Sequence, residues 1–122
     1  TEQISVDSII AIRKAYDASD KLKSSLGRHH ADPDASFKGW NEAWQLPAFL
    51  EWNIEEYLHS IICPTLVIQG ESDEYGTLKQ VDRIERGVGG VFEKLILAEC
   101  GHAPHREKAE AVLSVITHFL KR

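Results

Sequence analysis

The sequence predicts an α/β protein in which a helical stretch, about residues 4–60, precedes a β-α-β-α unit, about residues 64–121. Three observations point there. Apolar residues follow helical spacing up to Cys63-Pro64, and beyond it two short apolar runs alternate with amphipathic segments. No internal repeat or low-complexity tract interrupts either pattern. The chain is accordingly divided at that change of character, into a helical segment over residues 1–62 and a strand-helix segment over residues 63–122.

In the first segment Ser5 suits a helix N-cap, and the buried side would carry Ile9, Ile12 and Tyr16, followed by Leu22 and Leu26. Gly27 is a stop signal, with His29, His30 and Asp32-Pro33 forming a loop. Phe37, Trp40 and Trp44 then fall at i, i+3 and i+7, an aromatic stripe on one helix face. Pro47 opens a further helical stretch through Phe49 and Trp52. Asn53-Ile-Glu-Glu56 has capping-box spacing before a short segment ending at Ile61-Ile62.

In the second segment Thr65 to Gln69 reads as a buried strand ended by Gly70. Thr77-x-x-Gln80 can cap a helix presenting Leu78, Val81, Ile84 and Val88, which Gly87, Gly89 and Gly90 would terminate. Phe92 to Ala98 reads as a second strand. The last segment carries Ala109, Val112, Leu113, Ile116, Phe119 and Leu120 on one apolar stripe, with Lys121-Arg122 suited to a helix C-terminus. A strand, a helix and another strand of this length make a right-handed crossover between parallel strands. Both strand C-termini then lie on the same sheet edge, where open α/β sheets place their sites. The residues just past them are Gly70-Glu-Ser-Asp73 and Cys100-Gly-His102, so an acid and an imidazole reach one edge from adjacent strands.

An Asp that accepts a hydrogen bond from a His ring N–H fixes the tautomer and stabilises the imidazolium formed when the other nitrogen takes a proton. Spacing does not single out Asp73 from its neighbours Glu71 and Glu74, nor His102 from His105. A loop-capping Asp and a half-buried His bonded to backbone would leave the same pattern.

Pro64-Thr-Leu-Val-Ile-Gln-Gly70, then Glu-Ser-Asp73, then Cys-Gly-His102-Ala-Pro-His-Arg-Glu107 before an amphipathic helix, resembles the C-terminal end of the α/β-hydrolase superfamily. The match covers about Ile61 to Arg122, and the helical stretch before it looks like the cap such enzymes insert between core strands. The resemblance implies that Asp73 is the acid and His102 the base of a Ser-His-Asp triad acting on ester or related acyl bonds. It implies no cofactor. The nucleophile elbow G-x-S-x-G does not occur here, and Ser24-Ser25 sit in a helical context. The chain alone is therefore expected to be inactive, as the cap and last two core strands of a larger hydrolase. Thr1 at the first position and the lack of any methionine likewise suggest part of a longer chain.

Competing patterns carry less. Cys100-x-His102-x-x-His105 could be imagined as metal ligands with Asp32 or His30, but Pro104 stiffens the loop and no second well-spaced pair exists, so no metal is expected. Cys63 and Cys100 belong to opposite sheet edges, separated by roughly 15–20 Å, well beyond disulfide reach. Two free thiols fit a reducing cytoplasm. Trp40 and Trp44, with Phe37 and Trp52, could line an apolar substrate pocket or pack the cap on itself.

With 122 residues, 43% of them hydrophobic, the chain affords one small core, burying roughly 65% of the surface of the unfolded chain. Lys and Arg number 14 against 19 Asp and Glu, a net charge of −5, which argues against nucleic acid or an anionic membrane as partner. No apolar run approaches membrane-spanning length and no apolar stretch follows a basic start, so neither a spanning helix nor a signal peptide is expected within these residues. A two-stranded parallel sheet leaves unpaired N–H and C=O groups along the strand Thr65 to Gln69. That edge is expected to recruit the rest of a hydrolase or a second copy of the chain. The alternative function is a non-catalytic interaction module derived from a hydrolase.

Overall fold

The computed structural model describes residues 1–121, so Arg122, one of the two basic residues expected at the last helix end, lies outside the described residues. The chain divides into two compact units, Thr1–Trp52 and a second that begins at Asn53.

The first unit is helical: α1 (Gln3–Ala18), α2 (Asp20–Leu26), α3 (Pro33–Ala43) and α4 (Pro47–Leu50). The start of α1 lies before the expected Ser5, with Glu2 at the N-cap. Ser19 adopts extended angles, φ −155° and ψ 150°, and so breaks the run from Ile9 to Leu26 into two helices. The loop expected at Asp32-Pro33 is already a helix start: the Asp32 side chain accepts from the Ala35 N–H at 2.9 Å, and Pro33 takes the first helical position. Ile9, Tyr16 and Phe37 are buried, and the Tyr16 and Phe37 rings stack with centroids 3.8 Å apart. Asn41 is wholly buried. Its Nδ2 donates to the Ile9 carbonyl at 2.7 Å and its Oδ1 accepts from Gln45 Nε2 at 2.8 Å, which ties α3 to α1 without leaving the amide orphaned. Asp34 accepts from the Tyr16 hydroxyl and the Lys23 ammonium, and the two donors, Lys23 foremost, hold its carboxyl below the usual range.

The second unit takes in residues 53–62, which periodicity grouped with the helical half. Asn53 Oδ1 accepts from the Glu55 N–H at 2.7 Å and starts a 3₁₀ helix, Glu55–Ser60. Arg83 of α5 (Lys79–Gly87) donates to Glu55 at 2.5 Å. The glycines after α5 answer to crowding: a Cβ on Gly90 would lie 2.5 Å and 2.6 Å from the carbonyl oxygens of Cys63 and Ile62. Gly87, expected among the terminators, is the last residue of the helix itself.

Among the described residues two strands, β1 (Thr65–Gly70) and β2 (Phe92–Leu97), pair in parallel, in register from Thr65↔Phe92 to Gly70↔Leu97. Side chains alternate faces along each strand. Ile68, Leu95 and Leu97 pack with Val112 of α7 (Ala109–Leu120) on one face. Lys94, one residue out of phase, reaches Glu85 of α5 at 2.5 Å on the other. The helices thus flank opposite faces of the sheet, as a doubly wound α/β arrangement requires. A short helix, α6 (Pro104–Glu107), precedes α7.

Coverage is the main departure from expectation. Of the apolar stripe on α7 only Val112 is buried; Leu113 is 67% and Leu120 76% exposed. The residues Thr65 to Gln69 of β1 are half-buried, where full burial is expected for a parallel strand. No helix among the described residues is long and apolar enough to cross a membrane.

Candidate active site

The two strands end together, and the backbone after them is held together as well. The Glu71 N–H donates to the Leu97 carbonyl and the Ser72 N–H to the Cys100 carbonyl, both at 2.9 Å, so pairing continues past the strands into the loops. Gly70 makes this approach possible. A Cβ there would stand 2.2 Å from the Gly101 carbonyl oxygen and 2.3 Å from that of Cys100, distances no side chain tolerates. On the β2 side Glu99 takes φ 50°, a left-handed conformation that turns the chain toward Cys100 and His102.

Asp73 and His102 meet at this edge. His102 Nδ1 lies 2.9 Å from Oδ1 and 3.1 Å from Oδ2 of Asp73. The Tyr75 N–H also donates to Oδ1, at 2.8 Å, so the carboxylate is fixed by backbone before the imidazole reaches it. The Asp73 side chain is 12% exposed and that of His102 59%. A mostly buried acid thus holds an open imidazole, whose Nε2 makes no hydrogen bond within the described residues. The Tyr75 ring packs against the imidazole with centroids 4.7 Å apart. Burial, with Glu74 and Asp73 close by, pushes the Tyr75 hydroxyl up from its ordinary pKa and keeps it a neutral phenol.

Beside the pair lies a cleft of about 340 Å³ lined by Gln69, Asp73, Tyr75, Gln80, His102 and His105, among others. Gln69 Nε2 donates to the Gly76 carbonyl at 2.7 Å, bracing the loop that carries Asp73 and Tyr75. His105 lines the cleft from α6, and the imidazole bonded to Asp73 is that of His102. Glu71 is exposed. Cys100 is buried, and burial, followed by the Glu107 carboxylate, raises its thiol above the ordinary value, so it is no nucleophile near neutrality. Cys63 and Cys100 are both free thiols. Among the described residues no group of three His, Cys, Asp or Glu side chains is placed to hold a metal ion.

Trp40 and Trp44, the candidate substrate contacts, belong to the first unit. Trp40 packs on Phe37 and is 41% exposed, whereas Trp44 joins Phe49 and Trp52 with centroids 5.5 Å and 6.2 Å away. The stripe therefore splits into two clusters. Sequence reasoning missed Tyr75, Gln69 and Gln80 around the cleft, since nothing in their spacing announces it; only the cross-loop contacts do.

No protein-family model matches the chain, and neither does any curated protein. Among solved structures the chain is similar to a serine hydrolase involved in carbazole degradation, the CarC enzyme, with a TM-score of 0.55 and 16% sequence identity. The likeness covers 98% of this chain and 48% of that one, so the chain spans about half the length of that hydrolase. At this identity the likeness speaks for the fold: the chain has an incomplete α/β-hydrolase fold.

The close approach at Gly70 makes a direct prediction. Gly70→Ala forces the loops after β1 and β2 apart, at a cost of at least about 1–3 kcal/mol. Chemical denaturation should show that loss, and proton NMR should show the contact between the Tyr75 and His102 rings weakened; an unchanged midpoint and unchanged ring signals would contradict the geometry.

Proposed function

We propose that this chain is the C-terminal portion of an α/β-hydrolase-fold enzyme that cleaves ester or related acyl bonds, supplying the acid Asp73 and the base His102 of a Ser-His-Asp triad. The observation that carries this reading is the contact of His102 Nδ1 with the largely buried Asp73 carboxylate, beside a cleft at the C-terminal edge of a parallel sheet. The likeness to a serine hydrolase supports the class of reaction.

In the complete enzyme a serine outside these residues attacks the substrate carbonyl, and His102 Nε2 takes the hydroxyl proton as the new C–O bond forms. Asp73 holds Nδ1–H and stabilises the imidazolium. The same proton then passes to the leaving alkoxide as the acyl–oxygen bond breaks, giving an acyl-enzyme. Water repeats the sequence in the second half: His102 takes its proton, and the acid product leaves as the serine regains a hydrogen. With no G-x-S-x-G in its sequence, the chain alone does not form the acyl-enzyme. In this reading Trp40 and Trp44 are candidate substrate contacts of the complete enzyme, and the two free thiols fit a reducing cytoplasm.

In the longest natural protein that carries these residues, Asp73→Asn should lower kcat by up to about 10⁴ with the fold intact. Glu74→Gln should change it little, and a serine-directed fluorophosphonate should leave the isolated chain unlabelled. A small loss for Asp73→Asn with a large one for Glu74→Gln would mean that the other carboxylate is the acid, and strong labelling of the isolated chain would overturn its inactivity.

A second reading, an interaction module, is favoured by a specific feature. Leu113 and Leu120 lie open on α7, Ile62 and Val91 are 81% and 65% exposed, and β1 pairs only with β2 among the described residues. Isolated, the chain should self-associate at tens of micromolar through these surfaces. Sedimentation as a clean monomer would count against that reading.

A further inference from the structure

We propose that Glu107 is a positioning residue for His102, its carboxylate clamping the backbone on both sides of the imidazole. The proposal rests on the reading of His102 as the base. Glu107 Oε2 accepts from the Gly101 N–H at 2.8 Å and Oε1 accepts from the Ala103 N–H at 3.1 Å. One carboxylate therefore bonds the N–H groups of the two residues on either side of His102, and it does so with charge-assisted bonds, the stronger kind.

The clamp closes on itself. The Ala103 carbonyl accepts from the Arg106 and Glu107 N–H groups, at 2.8 Å and 3.0 Å, so α6 grips Ala103 through its carbonyl while Glu107 grips it through its N–H. His102 is held between two anchored neighbours although its own side chain is mostly exposed. An open imidazole has little to fix it besides the Tyr75 ring and the Asp73 carboxylate, and its aim depends also on the backbone beneath it.

Charge around the clamp sharpens its role. A Cβ on Gly101 would lie 3.3 Å from both the Glu107 and the Glu74 carboxylates, so three acids, with Asp73, surround this loop. The Gly101 and Ala103 N–H groups, and then the neighbouring Lys108, outweigh burial and the Asp73 charge and hold the Glu107 carboxyl below the usual glutamate range. A depressed pKa means that the clamp is fully made above the ordinary glutamate value and is lost as the pH falls through the lower folded value.

The test is NMR of the 122-residue chain and of Glu107→Ala, Glu107→Gln and Asp73→Asn variants. In the parent chain the Gly101 and Ala103 amide protons should move upfield together on acidification, with a midpoint below the ordinary glutamate range. Glu107→Ala should abolish that titration and speed exchange of both amides on the order of tenfold. It should also collapse the ring-current shift that Tyr75 imposes on His102, while the β1 and β2 amides keep their protection. Glu107→Gln, with one acceptor oxygen of the same reach, should restore part of the shift. His102 ring signals unchanged in both Glu107 variants would overturn the proposal. So would loss of strand protection in both, which would make Glu107 a support of the fold at large. Failure of the acid-base pairing reads out separately, as Asp73→Asn leaving the His102 ring signals unmoved.

Discussion

Everything at the sheet edge depends on how closely two parallel strands can end together. Gly70 has no Cβ where the Cys100 and Gly101 carbonyls pass, and that gap lets the loop after β2 lie directly on the loop after β1. Two backbone bonds, from Glu71 and Ser72, lock the approach. The Asp73–His102 hydrogen bond follows from it. A carboxylate three residues past one strand and an imidazole five residues past the other come within 2.9 Å because the backbones beneath them are in contact. Tyr75 and Glu107 then refine the aim, one from the ring face and the other from the backbone.

The carboxylate and the imidazole of this pair differ sharply in exposure. Asp73 sits where water scarcely reaches and is tied by a backbone N–H, so it keeps one position. His102 stands open at the cleft, with Nδ1 on the carboxylate. Burying both would close the imidazole off from the cleft, and exposing both would let solvent screen the pair. Elsewhere in the unit burial is shallow. The strand faces are half-covered, and most of the apolar stripe on α7 beyond Val112 is open.

The parts of this arrangement that obey periodic rules are legible in the sequence. Both strands, their parallel pairing and the edge that gathers Asp73 and His102 follow from apolar runs, glycine punctuation and the crossover rule. What escapes is what periodicity does not encode. The 3₁₀ turn over Glu55–Ser60 has no 3.6-residue signal, so its attachment to α5 rather than to the helices before it shows only in contacts such as the Arg83–Glu55 pair and the tight fit of Leu58 against Gly87. The stripe from Val112 to Leu120 announces an amphipathic helix but says nothing of how much of that face is covered. Glu107 is visible as a member of the motif, yet its hold on two peptide groups exists only once α6 folds back over the loop. The aromatic run Phe37, Trp40, Trp44 looks continuous on a helical wheel, and divides because Tyr16 of α1 captures Phe37 while Phe49 and Trp52 gather Trp44.

By accepting from Nδ1–H, the Asp73 carboxylate dictates which nitrogen of His102 carries the proton when the ring is neutral. Long-range proton–nitrogen correlation on the ring of His102 reads that directly. The Nδ1–H tautomer is expected, with its proton shifted far downfield and lost in Asp73→Asn. A neutral ring protonated at Nε2, the same with and without the Asp73 carboxylate, would contradict it.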